Sequence, residues 1–336
     1  MGSSAPVLIQ SMTKVPTTDV RSCVRQIKQL VKAGCDLVRL AVPRRTDTEA
    51  FAQIVQKVDI PLIADVHFSP ARAIEAIEAG AAKIRLNPGN IKNPKDIALI
   101  IDAARANGVA IRVGVNEASI KDSRNLQIAN RKRVVLMLNE MKKYVRLFER
   151  RGFTNLVLSA KSSDTLRTIQ VNRRIAETFD YPMHLGLTHA GLPEDAQIPS
   201  AVALGTLLAE GIGDTVRVSA AGNPVREVEI AVQILTALGL RQAAGPELIV
   251  CPTCGRTEVD VIKLAKKVKK ALVGIDKPLR VAVMGCVVNG PGEAADADVA
   301  LCAGKGKGYI YRHGNRVRTV AEKDIVSALL RELQKL

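Results

Sequence analysis

The chain has 336 residues, 47% of them hydrophobic, which is more than one small domain usually holds and enough for a packed core. No apolar run approaches the ~18 residues of a membrane span. The start, "MGSSAP", lacks the core of a secretion signal, so a cytoplasmic protein with no membrane partner is expected. Lysine and arginine outnumber aspartate and glutamate 49 to 33, a formal charge of +16, which points to an anionic partner or substrate. With no tryptophan, four tyrosines and five phenylalanines, platforms for stacking bases are scarce. Phosphorylated small molecules and acidic proteins fit the charge as well, and no nucleic-acid partner is expected.

One pattern recurs to about Gly239: a short apolar run of strand length, then an amphipathic helix and a turn. The runs are "VLIQSM" (7–12), "LVRLAV" (37–42), "PLIADV" (61–66), "AKIRLN" (82–87), "AIRVGV" (110–115), "NLVLSA" (155–160), "MHLGLT" (183–188) and "TVRVSA" (215–220). Helical stretches such as "SPARAIEAIEAGA" and "NPVREVEIAVQILTALG" open on Ser-Pro or Asn-Pro and close on glycine. Alternation of strand and helix predicts a parallel sheet. Eight such units predict a closed (β/α)₈ barrel over residues 1–240. An open doubly wound sheet is the alternative. It would carry a glycine-rich phosphate loop after the first strand, and "QSMTKVP" is not one. Cys23 and Cys35, in "VRSCVRQIKQLVKAGCD", read as packing residues.

Barrel active sites form where strands end. Those positions hold Arg39, Asp65 and His67, Arg85 and Asn87, Arg112 and Asn116, Lys161, His189, and Arg217 with Ser219. Charge inside a barrel is costly. Pairing with Asp36, Asp65 or Asp214 explains one or two of these cations. The whole set predicts a phosphate-binding mouth, since guanidinium groups match phosphate oxygens bidentately.

Past residue 240 the pattern changes. "GLRQAAGPE" reads as a linker into a small α+β domain, residues 241–336. It holds a strand into "VCPTCGR", a basic helix "EVDVIKLAKKVKKALVG", a strand "LRVAVMGC" and a final helix "AEKDIVSALLRELQKL". "GKGKG" lacks phosphate-loop spacing and reads as a mobile surface loop. No helix or strand is expected through Asn-Gly-Pro-Gly in "VMGCVVNGPGEA" (283–294), which reads as a turn between Cys286 and Glu293. Cys251 and Cys254 form a C-x-x-C knuckle that aims two thiolates at one point. A zinc ribbon would need a second knuckle, and none exists. Three thiolates and one oxygen suit an iron–sulfur cluster with one labile iron. Zinc tolerates the same set, and spacing leaves both metals open.

"QSMT" (10–13), "AGCDLVRLAVP" (33–43), "IADVHF" (63–68), "KIRLNPGNI" (83–91), "IRVGVN" (111–116), "GIGDTVRVS" (211–219), "CPTCGR" (251–256) and "VMGCVVNGPGEA" (283–294) occur in order. Together they resemble the 4-hydroxy-3-methylbut-2-enyl diphosphate synthases, iron–sulfur enzymes of the non-mevalonate isoprenoid pathway, in their compact two-domain bacterial form. The resemblance implies a [4Fe–4S] cluster on Cys251, Cys254, Cys286 and Glu293, with Glu293 the ligand that substrate displaces. It implies 2-C-methyl-D-erythritol 2,4-cyclodiphosphate as substrate and ferredoxin or flavodoxin as electron donor. Arg39, Arg85, Arg112, Arg217 and Lys161 would hold the diphosphate. Asn87, Asn116 and Ser219 would add hydrogen bonds, and Asp65 and His67 would orient groups at the mouth. Three departures from the family pattern stand out: His189 replaces an acid expected to act in catalysis, Glu117 replaces a small residue, and the glycine pair expected before "APVLIQSMT" is missing. The competing readings are a basic RNA-binding protein with a structural zinc knuckle and a zinc-dependent, aldolase-like barrel.

The eighth helix of a barrel returns to the face opposite the mouth. A nine-residue linker spans roughly 30 Å at most. A two-fold homodimer is therefore expected, each cluster domain covering its partner's mouth.

Overall fold

The computed structural model describes residues 5–87, 91, 93–120, 129–188, 191–243 and 245–336. The chain divides into two compact units, Met1–Arg241 and Gln242–Leu336.

Among the described residues of the first unit eight strands alternate with eight helices: β1 (Leu8–Met12), α1 (Val20–Lys32), β2 (Leu37–Ala41), α2 (Arg45–Val55), β3 (Leu62–Asp65), α3 (Pro70–Glu78), β4 (Lys83–Leu86), α4 (Pro94–Ala106), β5 (Ala110–Asn116), α5 (Asn130–Glu149), β6 (Leu156–Lys161), α6 (Thr165–Thr178), β7 (His184–Leu185), α7 (Pro193–Ala209), β8 (Thr215–Val216) and α8 (Pro224–Ala237). Sequence chemistry sets the helix entries. Asp19, Ser69, Asn93, Asp164 and Asn223 each accept a hydrogen bond from a backbone N–H of the first turn, and α3, α4 and α8 place proline at its start.

The sheet is all parallel, in the order β6-β5-β4-β3-β2-β1-β8-β7. The β6–β7 seam is nearly closed by the bridge Leu158–Met183 and by Leu158 N donating to Pro182 O (2.8 Å) and Thr188 N to Ser162 O (3.0 Å). This is the expected barrel rather than the open doubly wound sheet. β7 and β8 keep two residues each where the apolar runs predicted six. Gly186 ends the β7 ladder: a Cβ there would lie 2.6 Å from both Arg217 O and Lys161 Nζ. Ile9, Val38, Leu40, Ile84, Ile111 and Leu158 are buried between the sheet and the helix layer.

In the second unit five strands form one sheet: β9 (Glu247–Val250), β10 (Arg280–Met284), β11 (Val299–Gly304), β12 (Lys307–Arg312) and β13 (Asn315–Ala321), ordered β13-β12-β11-β10-β9. Helices α9 (Val261–Ala271) and α11 (Ile325–Leu333) cover one face through Val261, Val268, Leu329 and Leu333. Two expectations are corrected here. "GKGKG" is a tight hairpin between β11 and β12, with Gly304 paired to Lys307 and Gly306 at φ 71°, not a loose loop. Asn-Gly-Pro-Gly is not free of helix: Gly290–Glu293 forms one helical turn, α10. Pro291 stands at its start, where a missing N–H costs nothing.

Gly213 tests the barrel's tolerance. It has φ 117°, and a Cβ there would sit 2.4 Å from Leu185 Cδ1. Gly213→Ala should destabilise the protein by about 1–3 kcal/mol, through overpacking as well as backbone strain. Gly239, at φ 68° with open space around its Cβ position, is the control. Urea midpoints should fall further for the first variant than for the second, and equal shifts would remove the packing argument.

Candidate functional site

At the C-terminal ends of the barrel strands lies a cavity of about 270 Å³. It is lined by Arg39, Asp65, His67, Arg85, Arg112, Gly114, Asn116, Ser159, Lys161, Leu187, Thr188, Arg217 and Ser219. Strand register builds this lining. Asp65, Arg85 and Arg112 stand opposite one another across β3, β4 and β5, and Asn116 stands opposite Lys161 across β5 and β6. Gly114, two residues past Arg112, leaves room for the Arg85 guanidinium, whose Nε would be 3.4 Å from a Cβ there.

Two carboxylates face this charge. Asp65 meets Arg85 at 3.2 Å, Arg39 at 3.6 Å and His67 at 3.8 Å. Burial alone would push its carboxyl up; Arg39 and Arg85 outweigh that and hold it below the ordinary range. Glu227, buried on α8, meets Arg217 at 3.3 Å and Lys14 at 2.9 Å, and accepts from Ser11 Oγ and Ala220 N. Asp36 and Asp214 pair with none of the mouth cations. Asp36 accepts from Ile9 N and Arg241, and Asp214 accepts from Met183 N.

Arg112 and Lys161 have no carboxylate within 4 Å among the described residues. Arg112 is buried and donates to Gln10 Oε1 at 3.1 Å, while its Nε finds no partner among the described residues. Loss of hydration and then the neighbouring Arg39 and Arg85 draw its pKa well down. Lys161 is half-buried. Loss of hydration and then Arg112 and Arg217 lower its pKa in the same way. Pocket water softens the first effect for Lys161, and the repulsion from its neighbours stands. Such a site gains by binding an anion with several oxygens.

Sequence reading missed several members. Glu227 could have been found as an acid on the apolar face of α8, beside Val228 and Ala231. Deeper in the barrel lie Lys83 and His184, both buried. His184 Nδ1 is 2.8 Å from Thr215 Oγ1, and burial followed by Arg112 and Lys161 keeps the ring neutral. Of the predicted residues, Asn87 lies outside the cavity lining and donates to Ser119 Oγ at 3.5 Å. His189 lies outside the described residues.

The remaining predicted residues belong to the second unit. Cys251 Sγ accepts from Gly285 N at 3.2 Å. Cys254 N donates to Thr257 Oγ1 at 3.1 Å, and Thr253 between the two thiols holds a left-handed φ of 60°, costly for a β-branched residue. The Cys286 thiol faces the backbone N–H groups of Asn289, Val288 and Gly290, which draw its pKa down. Cys302, buried behind them, is pushed up to about 12 by burial and by Cys286 and Cys251. Among the described residues no three His, Cys, Asp or Glu side chains converge tightly enough to hold a single metal ion. In chemistry, though, three free thiols, exposed or half-buried, and the carboxylate of Glu293 on α10 are donors compatible with a thiolate-held cluster.

Residues 1–232 match the family model described as the GcpE TIM-barrel domain, and residues 247–335 match the GcpE protein C-terminal domain. The chain belongs to the GcpE family. Among GcpE relatives is 4-hydroxy-3-methylbut-2-en-1-yl diphosphate synthase (flavodoxin) of Caldanaerobacter subterraneus subsp. tengcongensis, 45% identical over all of this chain and 94% of the relative. The proteins of the same name from Aquifex aeolicus and Clostridium tetani are 44% and 43% identical, again over the full chain, covering 94% and 96% of those relatives. Solved structures of dihydropteroate synthases share the barrel. Those from Stenotrophomonas maltophilia and Xanthomonas albilineans both give a TM-score of 0.53, at 17% and 18% identity, over 70% and 71% of this chain and 92% and 94% of theirs. That likeness shows the fold alone. None of these comparisons supports the RNA-binding alternative.

Lys83 gives a pH test of the barrel interior. Burial, then Arg112, lowers its pKa from 10.5 to about 7. The unfolded chain therefore holds one proton more than the folded chain between those values, and stability rises with pH across that window. Lys83→Met should remove that part of the rise. Urea unfolding of both proteins, at neutral pH and about two units above it, measures the difference. Equal slopes would exclude Lys83.

Proposed function

We propose that the chain opens the ring of 2-C-methyl-D-erythritol 2,4-cyclodiphosphate reductively and releases 4-hydroxy-3-methylbut-2-enyl diphosphate, a step of the non-mevalonate isoprenoid pathway. Written for the neutral acids, the cyclic diphosphate takes two electrons and two protons. The ring C–O bond to phosphate and the neighbouring C–OH bond break, and one water leaves. The observation that carries this reading is the barrel mouth, where Arg112 and Lys161 face a polar cavity without a carboxylate within 4 Å among the described residues. Full-length similarity to proteins named for this reaction supports it.

Arg112, Lys161, Arg85, Arg39 and Arg217 bind the diphosphate, and Asn116 and Ser219 add hydrogen bonds; Asn87 acts from the edge. Asp65 keeps Arg39 and Arg85 aimed inward and, with His67, orients groups at the mouth. We assign His189 the place of the family's acid. Cys251, Cys254, Cys286 and Glu293 would hold a [4Fe–4S] cluster, which would supply one-electron transfer, with the Glu293 carboxylate as its displaceable oxygen ligand. Flavodoxin, which is part of the relatives' names, or a ferredoxin would supply the electrons.

If Glu293 is the displaceable ligand, Glu293→Ala should retain most of the iron and lose turnover, whereas Cys286→Ala should lose the iron itself. Iron content and an anaerobic assay on purified protein measure both, and equal retention in the two variants would count against the assignment.

A homodimer with a shared active site fits the exit of the barrel chain. Arg241, just past α8, pairs with Asp36 at 2.9 Å, and Asp36 precedes β2, on the face opposite the mouth. Mixing Cys254→Ala with Arg112→Ala subunits should restore part of the activity lost by each. No recovery after proven subunit exchange would place the whole site in one chain.

A further inference from the structure

The second unit carries a groove that neither the barrel mouth nor the thiols account for. It has a volume of about 570 Å³ and runs between β9 and α9, floored by Leu248 and Ala265. Val250, Ile262 and Val273 line it, and the last two are 60% and 81% exposed. β9 is the edge of the sheet, so no strand covers its outer side among the described residues. An apolar groove beside an open edge is unusual on a free surface.

Its rim is charged with one sign. Val261, Ala265 and Val268 of α9 face the core, and Lys266 and Lys269, three residues apart, stand together on the groove side. Lys263 and Lys267 lie on the other flank of the helix, with Glu322 and Lys323 of the same unit lining that side. None of the four lysine ammonium groups has a carboxylate within 4 Å among the described residues. An ordinary solvated helix face would mix signs at such spacings.

The groove also ends one residue from Cys251. Val250 lines it, and the next residue is Cys251. Val261 opens α9, and its Cγ2 and Cys251 Sγ both pack against Gly285, within 2.2 and 3.5 Å of the position a Cβ would take there. A protein seated in the groove therefore lies against the backbone that leads directly to one of the assigned ligands.

We propose that this groove is the docking site of the electron carrier: an acidic protein whose apolar centre enters between β9 and α9 and whose carboxylates meet Lys266 and Lys269. This rests on the functional reading above. Each docking passes one electron from the reduced carrier, which leaves oxidised by one electron, and two dockings supply the two electrons of a turnover. No atom is transferred at this site.

The test is a Lys266→Glu/Lys269→Glu variant of the full chain with its cluster loaded. With reduced flavodoxin as donor, the concentration giving half-maximal rate should rise about tenfold or more, and its dependence on salt should shrink. The rate with dithionite-reduced methyl viologen and the iron content should match the parent. Calorimetry with oxidised flavodoxin should show the same weakening, with or without the cluster. An unchanged response to flavodoxin overturns the proposal. So does an equal loss with viologen, or sedimentation showing that the variant alters self-association instead. A parent that turns over nothing with viologen defeats the functional reading, and the calorimetric comparison still decides the docking site.

Discussion

The mouth of the barrel holds more buried positive charge than the protein neutralises, and the rest of the first unit is arranged around that imbalance. Asp65 restrains Arg39 and Arg85, and Glu227 restrains Arg217 and Lys14. Arg112 is left with a neutral amide, Gln10, and Arg39 leans its guanidinium on the Met12 sulfur at 3.1 Å, a weak acceptor. Removing a charge from water without a counter-ion is costly. That cost lowers Arg39 to about 10 through burial, although Asp65 works against the shift. A rigid sheet with strands in fixed register keeps the cations from moving apart. The free energy spent in holding them together becomes affinity for whichever anion completes the set.

Much of this was legible. Charged residues at the ends of apolar strand runs mark a barrel mouth, because the period of two places Arg85 and Arg112 on the inner face and the fold places strand ends on one side. What stayed hidden was hidden for physical reasons. Glu227 comes from a helix, where a single acid among apolar positions looks like a turn toward solvent until the helix is placed. Lys83 and His184 stand at the starts of strands, where a polar residue reads as the edge of a loop. The Gly186 gap depends on Lys161 from the neighbouring strand, a contact that no local pattern encodes.

In the second unit the reading went wrong where composition outweighed periodicity. Glycines and lysines between Cys302 and Gly314 suggested a loop, yet Tyr309, Ile310 and Tyr311 alternate as a strand requires, Ile310 opposite Leu301 on one face and the tyrosines opposite Cys302 and Ala300 on the other, and Gly306 and Gly314 supply the left-handed turns. The Pro-Gly pair after Cys286 suggested an open turn. Proline at a helix start is compatible with helix, and the backbone entering the turn presents the N–H groups of Asn289, Val288 and Gly290 to the Cys286 thiol. The same local choice thus shapes the backbone and favours the thiolate.

Glu117 shows how one departure from a family pattern is absorbed. It follows Asn116 at the end of β5, next to the rung where Asn116 pairs with Lys161. Its carboxylate accepts from Arg133 of α5 at 2.9 Å, from Arg167 of α6 at 2.6 Å, and from the hydroxyl of Ser162, the residue after Lys161. Burial raises its pKa; the bonds from Ser162, Arg167 and Arg133 outweigh that, and it stays charged. A small residue here would leave two arginines without this acceptor beside an already cationic mouth. With glutamate, the ends of β5 and β6 and the starts of α5 and α6 are tied to one point just outside the cavity, and one of the two positive charges of Arg133 and Arg167 is offset there. The acid therefore serves the mouth without entering it. It braces the loop ends that follow Asn116 and Lys161 and leaves the positive excess where an anion can use it.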